Sequence, residues 1–452
     1  MGKRFTAFID RYSNRFRFKA HEITTQANQY LCGLMQSEKK NMERMTEVVP
    51  DSDEQSLQHF LSNSQWDDQA VMDQVARDAN RRLGGGANTA LLIDESAITK
   101  KGEKSVGVAR QWNGRLGKTD NCQVGVYAVL SAGERAALID KRLYLPKGWA
   151  SDATRCDAAK IPREHQTLKT KQALALEMVR HLRQAGIEFA WVGTDGGYGH
   201  DPAFLRALED DGETFVADVH SNQRIYLDDP RPQPAERKSL RGRPPRALQA
   251  QVEPIEVRHW AKGQDASAWK TVALRESTKG QLRVEILHRR VWLWDGQETQ
   301  ARHWHLIVRR EIGSPKEIKY SLSNAPEDTP LARLAQMQGQ RYWVERQFED
   351  AKGEAGLDHY QARSWVAWHH HMALVAMAML FMLEERQLQK TDYPLLSCAD
   401  IEGLLAQFLP RRNRDPDELI RQMEVRHRKR QASIDSAYRK QRRADEMAAG
   451  GP

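Results

Sequence analysis

The chain has 452 residues, 40% of them hydrophobic and 29% charged, which is ordinary for a soluble globular protein of two to four domains. Its net charge of +8 indicates a polyanionic partner. The four cysteines lack zinc-like spacing, which argues against a zinc finger. The N-terminus has no apolar signal segment, which argues against secretion. The longest apolar run has only twelve residues (372–383), which is too short to span a membrane. These features favour reduced thiols in the cytosol and a buried helix at 372–383.

Residues 1–85 are predicted to form a helical N-terminal DNA-binding domain. Apolar side chains recur at helical spacing within 55–66, and a turn follows at 62–64. Asp67 and Asp68 then begin a second helix, at the end where the helix dipole favours acids. Helix, short turn, helix is compatible with a helix-turn-helix. A generic helical bundle is the alternative that this pattern leaves open.

Three glycines at 84–86 mark a boundary, and residues 86–225 are predicted to be the first part of a catalytic core. Strands come first and then alternate with helices. The predicted strands are 89–93, 105–110, 122–130, 137–145, 189–193 and 214–219, and the predicted helices are 169–185 and 202–210. This order predicts an α/β fold with a mixed sheet flanked by helices.

Two aspartates are each predicted to end an apolar strand. Asp94 follows Leu91-Leu-Ile, and Asp195 follows Trp191-Val-Gly-Thr and precedes a glycine-rich turn. Ligands of open α/β sheets bind beyond the carboxyl ends of the strands, so both are candidate site residues. The alternative for each is an aspartate that only initiates a turn. Glu95 is expected on the opposite face of the sheet and is left out of the site.

Residues 226–325 are predicted to be a basic linker followed by a β-rich insertion. Segment 231–246 carries six lysines and arginines against one glutamate and is too rich in proline to pack into a core. Within it, Arg241-Gly-Arg243-Pro resembles the core of an AT-hook, which lies in the minor groove of A·T-rich DNA. The alternative is a flexible basic linker in which Arg241 and Arg243 have no such role.

Residues 326–395 are predicted to be core helices, with helix from about 331 to 387. Arg341, Glu345 and Lys352 fall within roughly 40° of one another on that helix, so one carboxylate lies beside two cations. The alternative is a solvated face with ordinary charge pairs. His369, His370 and His371 point in three directions and are assigned to the helix surface and the edge of the core. Residues 396–452 are predicted to be a basic C-terminal tail, with twelve lysines and arginines against seven acids in 411–446.

Taken with these three acids, two further stretches resemble a known family. They are the segment from Lys100-Lys-Gly-Glu-Lys to Cys-Gln-Val124, and Tyr144-Leu-Pro-Lys-Gly-Trp149. They resemble the DDE transposases of bacterial insertion sequences, in particular the insertion-sequence family 701 group, over roughly residues 20–385. The resemblance implies a ribonuclease H-like core interrupted by the β-rich insertion.

The same resemblance implies a catalytic site. Asp94, Asp195 and Glu345 correspond to the acids that hold two Mg²⁺ ions, for which Mn²⁺ substitutes, and Arg341 and Lys352 to cations that hold phosphate. The hairpin-forming branch has the signature Tyr, two residues, Arg, three residues, Glu, six residues, Lys. Gln338 stands at its Tyr position, so the cleavage pathway stays open.

The sequence therefore predicts a metal-dependent transposase that cuts DNA at the ends of an insertion sequence and joins them to target DNA. The expected partners are the terminal inverted repeats, target DNA and a second copy of the chain on DNA, with no membrane. The expected location is the bacterial cytoplasm, at the nucleoid. Two alternatives remain: a metal-dependent nuclease that does not join DNA, and a DNA-binding relative that has lost catalysis.

Overall fold

The structure is a computed structural model that describes residues 1–18, 21–234, 247–277, 280–413 and 415–449. The first 85 residues form mainly helices. These elements are α1 (Gly2–Asp10), β1 (Arg17–Phe18), β2 (His21–Glu22), α2 (Thr24–Gln36), α3 (Met42–Thr46), α4 (Glu54–Ser62) and α5 (Asp68–Leu83). The predicted second helix is confirmed, and Asp67 caps it by accepting a hydrogen bond from the Ala70 amide.

Strands and helices alternate through the next part of the chain. They are β3 (Thr89–Thr99), β4 (Ala109–Asn113), β5 (Lys118–Ala132), β6 (Arg135–Leu143), α6 (Lys147–Ala150), α7 (Ala153–Ala158), α8 (Lys171–Gln184), β7 (Trp191–Thr194), α9 (Gly196–Gly199), α10 (Pro202–Asp210), β8 (Phe215–Val219) and β9 (Arg224–Ile225). The following strands and one helix are β10 (Gln233–Pro234), β11 (Leu248–Gln249), β12 (Ile255–Glu256), α11 (Val257–Lys262), β13 (Lys270–Ser277), β14 (Gly280–Leu293), β15 (Arg302–Glu311) and β16 (Ser314–Ser323).

Helices complete the described part of the chain. They are α12 (Leu331–Gln340), α13 (Tyr342–Gly353), α14 (Trp365–Leu388), α15 (Cys398–Phe408) and α16 (Pro416–Ala449). The prediction of a single helix from 331 to 387 is wrong. The helix is interrupted at Arg341 and again between α13 and α14. At the second break Gly356 adopts a positive φ of 70°, which a helix cannot contain.

A ten-stranded mixed sheet forms the centre of the protein. Its order is β13-β14-β15-β16-β8-β7-β3-β5-β4, and β6 pairs with β5 beside β4. Within it, β3, β7 and β8 are parallel, while β5 is antiparallel to β3 and β6 is antiparallel to β5. The predicted mixed α/β fold is confirmed, and these five strands with their flanking helices form a ribonuclease H-like core.

The β-rich stretch extends this sheet. Strand β16 pairs antiparallel with β8, from Tyr320 opposite Val219 to Ser323 opposite Val216. The predicted boundary near residue 225 is therefore not a boundary within the sheet, because β13–β16 continue it by backbone hydrogen bonds. The predicted strand 105–110 is observed later, as β4, and the strand predicted to end at Ile93 continues to Thr99 because β5 pairs along all of it.

Helix α14 is the core helix around which the N-terminal helices pack. Among the described helices it is long and apolar enough to span a membrane, but 94% of its apolar window is buried inside the protein. The prediction of a buried helix at 372–383 is confirmed. Arg4 of α1 binds Glu385 at 2.7 Å, and Phe5 packs edge-on against Phe381.

The three histidines of α14 are buried, so their assignment to the helix surface is wrong. His370 stacks on Trp66 and lies 2.9 Å from the Leu61 carbonyl oxygen through Nδ1. His371 bridges the Tyr30 hydroxyl and the Gly356 carbonyl at 2.9 and 3.0 Å. Their hydrogen bonds to loops, to α2 and to α4 offset the cost of burying imidazoles, and burial keeps their pKa values below the usual range.

Helix α5 is held on several sides, which does not fit its use as a recognition helix. Asp68 pairs with the fully buried Lys141 of β6, and Asp78 accepts hydrogen bonds from Tyr12 and Arg81. Asp73 pairs with His181 of α8 at 3.3 Å. A helix-turn-helix needs the second helix free to enter the major groove. The helical-bundle alternative describes α4 and α5 better.

His181 joins three elements, and this predicts a pH-dependent stability. Its Nδ1 lies 3.0 Å from Asp140 of β6 and its Nε2 lies 3.3 Å from Asp73 of α5. Hydrogen bonds to Asp140 and then Asp73 raise the pKa of His181 to about 9. Because the folded pKa is raised, the stabilisation is complete below the unfolded pKa of about 6.5 and is lost as pH rises through about 9.

We expect His181→Gln to lower the free energy of unfolding by at most about 3 kcal/mol at pH 6 and by much less at pH 9.5. Thermal and denaturant unfolding across this range measure it. His427→Gln, which changes an exposed histidine of α16, is the matched control. A loss for His181→Gln that is the same at both pH values would contradict the assignment.

Candidate active site

Three aspartates occupy one row across three adjacent parallel strands. Ile93 of β3 lies opposite Thr194 of β7, and Thr194 lies opposite Ala217 of β8. The residues that follow these three are Asp94, Asp195 and Asp218. Neighbouring strands are about 4.8 Å apart, so the register of the sheet alone brings the three carboxylates together. The sequence-predicted pair Asp94 and Asp195 is thus adjacent, although Asp94 lies within its strand and not at its end.

Arg341 connects this row to the helices above it. It is the residue between α12 and α13, and its side chain is only 17% exposed. Its Nη1 donates to Asp94 Oδ2 at 3.1 Å, its Nε to Asp218 Oδ2 at 3.1 Å and its Nη2 to Glu345 Oε1 at 2.9 Å. The helix break matters here, because it places one guanidinium between two strands and the first turn of α13.

Asp218 is the site residue that the sequence analysis missed. Its Oδ1 accepts a hydrogen bond of 2.5 Å from Ser321 of β16, whose Oγ accepts one of 2.7 Å from Gln338 of α12. The carboxylate is therefore fixed by a buried relay on one side and by Arg341 on the other. The signal was present in the sequence, since Asp218 interrupts the apolar strand Phe-Val-Ala-Asp-Val much as Asp94 interrupts its own strand.

Asp195 combines a turn role with a site position. Its Oδ1 accepts a hydrogen bond of 2.9 Å from the Gly197 amide and caps the short helix α9. The hydrogen bond expected of a turn-initiating aspartate is therefore present, and Asp195 also lies beside Asp94 in the row. On the other face of the sheet Glu95 pairs with Lys171 of α8 at 2.7 Å, as strand alternation predicts.

Burial and crowding shape the charges of the site. Burial, and then the negative charge of Asp195, raise the pKa of Asp94 to about 7, while Arg341 opposes this shift. Burial would lower the pKa of Arg341, but Asp218, Asp94 and Glu345 together raise it above its usual value. The Arg341 guanidinium therefore stays charged, whereas the Asp94 carboxylate takes up a proton more readily than an ordinary aspartate does.

Glu345 and Lys352 lie on α13. Glu345 is half exposed and pairs with Arg341 four residues earlier, which is also what the alternative of an ordinary helix charge pair predicts. Lys352 is partly buried, and burial lowers its pKa while Asp358 and Asp94 act in the opposite direction. The structure thus places all five predicted residues of this site in one region. Arg241 and Arg243 lie outside the described residues.

The donor set fits a hard divalent cation. Asp94, Asp195, Asp218 and Glu345 offer carboxylate oxygens, the ligands that Mg²⁺ and Mn²⁺ prefer. Across the described ranges, no three acidic, histidine or cysteine side chains stand close enough to hold a metal. At this site the Arg341 guanidinium lies among the carboxylates. Three of these four carboxylates, those of Asp94, Asp218 and Glu345, share the single guanidinium of Arg341, so the group carries net negative charge that a cation would neutralise.

Comparison with known proteins decides the family. A family model described as DDE superfamily endonuclease matches residues 16–281, more than half of the chain. The chain belongs to the DDE superfamily of endonucleases. The match contains Asp94, Asp195 and Asp218 and ends before Glu345.

The DDE endonuclease also has a curated relative. It is 24% identical over 365 residues to a probable transposase for insertion sequence element IS701 from Microchaete diplosiphon, with 78% of this chain and 82% of the relative covered. This similarity extends over most of both proteins. It supports the resemblance to the insertion-sequence family 701 group that the sequence motifs indicated.

A glycine of this DDE endonuclease sets how closely α9 approaches β8. A Cβ added at Gly199 would meet the Asp218 carbonyl oxygen at 2.0 Å, a backbone atom that cannot move without moving Asp218. We expect Gly199→Ala to lower the free energy of unfolding by about 2 kcal/mol or more, the range of overpacked cores, and to displace the aspartate row.

Gly196→Ala is the matched control, because its Cβ would make only ordinary contacts of 3.5 Å with the His220 ring. Denaturant unfolding and a crystal structure of each variant measure the effect. Equal stability of the two variants would mean that α9 can move away from β8 at little cost.

Proposed function

We propose that this DDE endonuclease is a transposase, which cuts DNA at the ends of an insertion sequence and joins the freed 3′-ends to target DNA. The observation that carries the proposal is the in-register row of Asp94, Asp195 and Asp218 facing Glu345 through Arg341. The similarity to a probable insertion-sequence transposase supports the joining step.

In this proposal Asp94, Asp195 and Glu345 hold two Mg²⁺ ions, with Mn²⁺ as a substitute. Bound ions of this kind activate a water for attack on the phosphodiester and stabilise the charge on the leaving 3′-oxygen. The half-exposed side chain of Glu345 can reorient towards Asp94 and Asp195 when it releases Arg341. The same site then serves the attack of the freed 3′-hydroxyl on target DNA.

Arg341 and Lys352 act on the DNA phosphates. Once the carboxylates have other cations as partners, the two Nη groups of Arg341 are free to donate to the phosphate being cut. Asp218 retains the Nε hydrogen bond, so the guanidinium keeps its place. Lys352, which is partly buried and within electrostatic range of Asp94, supplies a second positive charge.

The remaining partners follow from the reaction. The DNA substrates are the terminal inverted repeats and the target, and synapsis of two ends needs at least two copies of the chain. The exposed, arginine-rich helix α16 and the N-terminal helices are the proposed contacts with the repeats, where cations add salt-sensitive affinity for the backbone. The reaction takes place at the nucleoid in the bacterial cytoplasm.

Glu345→Gln tests the proposed catalytic role. We expect end-specific cleavage of a plasmid carrying the element's native ends to fall by at least about 100-fold in Mg²⁺, because the loss of a metal-ligand charge costs several kcal/mol in the transition state. Gel analysis of cleaved and joined products measures it.

Glu349→Gln is the control, since Glu349 lies one turn further along α13 and is 70% exposed. Cutting by Glu345→Gln at the wild-type rate would refute the site. Cleavage by wild type without joined product would favour the nuclease alternative. Binding of the ends by wild type without cleavage would favour an inactive relative.

Asp218→Asn tests whether Asp218 acts through Arg341. We expect Asp218→Asn and Arg341→Gln each to slow single-turnover cleavage by about tenfold or more, with little further loss in the double variant, because both changes remove one interaction. If Asp218 had a purely structural role, the rate losses of the two single variants would instead multiply in the double variant. Ser321→Ala, which removes a neutral donor to Asp218, is the comparison for the loss of one hydrogen bond.

A further inference from the structure

A basic cleft lies beyond the end of the catalytic strand β3. It has a volume of about 790 Å³ and is lined by residues 99–105, by 358–361 with Arg363, and by side chains from the N-terminal helical region and α16. Six of its residues are lysine or arginine. They are Lys39, Lys100, Lys101, Lys104, Arg363 and Lys440. The acids that line it are Glu103 and Asp358.

Most of the positive charge of this basic cleft is not neutralised within the protein, since six cations stand against two acids. Among the described residues, none of the six cations forms an ion pair with a carboxylate, whereas arginines elsewhere, such as Arg183 and Arg302, are bound tightly to acids. Five of the six have exposed side chains and Lys100 is half buried. A concave surface with uncompensated charge of one sign concentrates the field and attracts polyanions.

The basic cleft is preformed because its two walls are tied together. The Lys100 ammonium donates to the Tyr360 carbonyl oxygen at 2.5 Å and lies 4.5 Å from the centre of the Tyr360 ring. The Val106 amide donates to the Arg363 carbonyl oxygen at 2.9 Å. Lys100 therefore serves as a structural support, and the exposed cations around it are free to contact a ligand without a rearrangement of the backbone.

The position of the basic cleft relative to the aspartate row is set by β3. Lys100 is six residues beyond Asp94, and at about 3.3 Å per residue an extended strand covers roughly 20 Å over that distance. This length matches about six base pairs of DNA at 3.4 Å per pair. Lys352 lies within electrostatic range of Asp94 in the aspartate row and of Asp358 in the basic cleft.

We propose that the basic cleft binds the phosphate backbone of substrate DNA about six base pairs from the phosphodiester that is cut. The proposal rests on the transposase function. Several unpaired cations from separate segments suit a run of successive phosphates, whereas a single small anion would be satisfied by one or two of them. Contacts of this kind position DNA without reading its sequence.

The test uses the exposed pair Lys101 and Lys104. We expect the variant Lys101→Ala/Lys104→Ala to bind a duplex of the element's end more weakly and to reduce the slope of log affinity against log salt concentration by about 2, about one for each phosphate contact. Fluorescence anisotropy over a KCl series measures this. Lys262→Ala/Lys390→Ala removes the same charge from exposed lysines outside the cleft and should leave the slope unchanged.

Neutral methylphosphonate linkages placed one at a time locate the contact. In wild type, substitution about six base pairs from the cut, on one side, should weaken binding, and the lysine variant should be insensitive at that position. An unchanged salt slope, a variant that stays sensitive there, or no sensitive position at that distance on either side would overturn the proposal. If the wild-type protein binds and cuts the ends but one of these three results is found, only the proposed role of the cleft is refuted. If the wild-type protein neither binds nor cuts the ends, the proposed transposase function is refuted.

Discussion

The ion pairs of Arg341 with Asp94, Asp218 and Glu345 are the interaction on which the site depends. Two carboxylates on adjacent strands, about 5 Å apart, repel each other by roughly 3 kcal/mol at an effective dielectric constant of 20. The register of β3, β7 and β8 imposes that repulsion. A guanidinium with five donors compensates it from one position, and in doing so it fixes the junction of α12 and α13 over the sheet. Fold and site are thus stabilised by the same contacts.

Much of this arrangement could be predicted from the sequence. Asp94 and Asp195 each adjoin an apolar run, and strand patterns show where a carboxylate leaves the core. Asp218 was missed because its partners Ser321 and Arg341 are more than 100 residues away, and no local pattern reports such pairing. The helix break at Arg341 was also missed, because the one local signal, Gly339 in the last turn of α12, is also tolerated inside a continuous helix. The non-local contacts at this break are the ion pairs of Arg341 with Asp94 and Asp218 of the sheet.

The basic cleft could not be predicted from the distribution of charge along the sequence. Excess positive charge is concentrated in 231–246 and 411–446, but most residues that line the cleft come from other segments. Lys39, Lys101 and Arg363 are ordinary surface residues in sequence, and they matter only because the fold brings them to one concave surface where cations outnumber acids. Asp195 caps α9 and Glu345 forms a helix charge pair with Arg341, and each of these two residues nevertheless lies in the site.

The packing of the first helix on α14 has a consequence for synthesis. Arg4 and Arg11 find their partners in Glu385 and Glu384, more than 370 residues later. A ribosome that adds about 5 to 20 residues per second therefore needs roughly 20 to 75 seconds before α14 emerges, and the apolar faces of α1 stay exposed until then. Nascent chains must be protected from aggregation over this interval. A chain that ends before α14 would lack Phe381, Glu384 and Glu385, on which α1 packs.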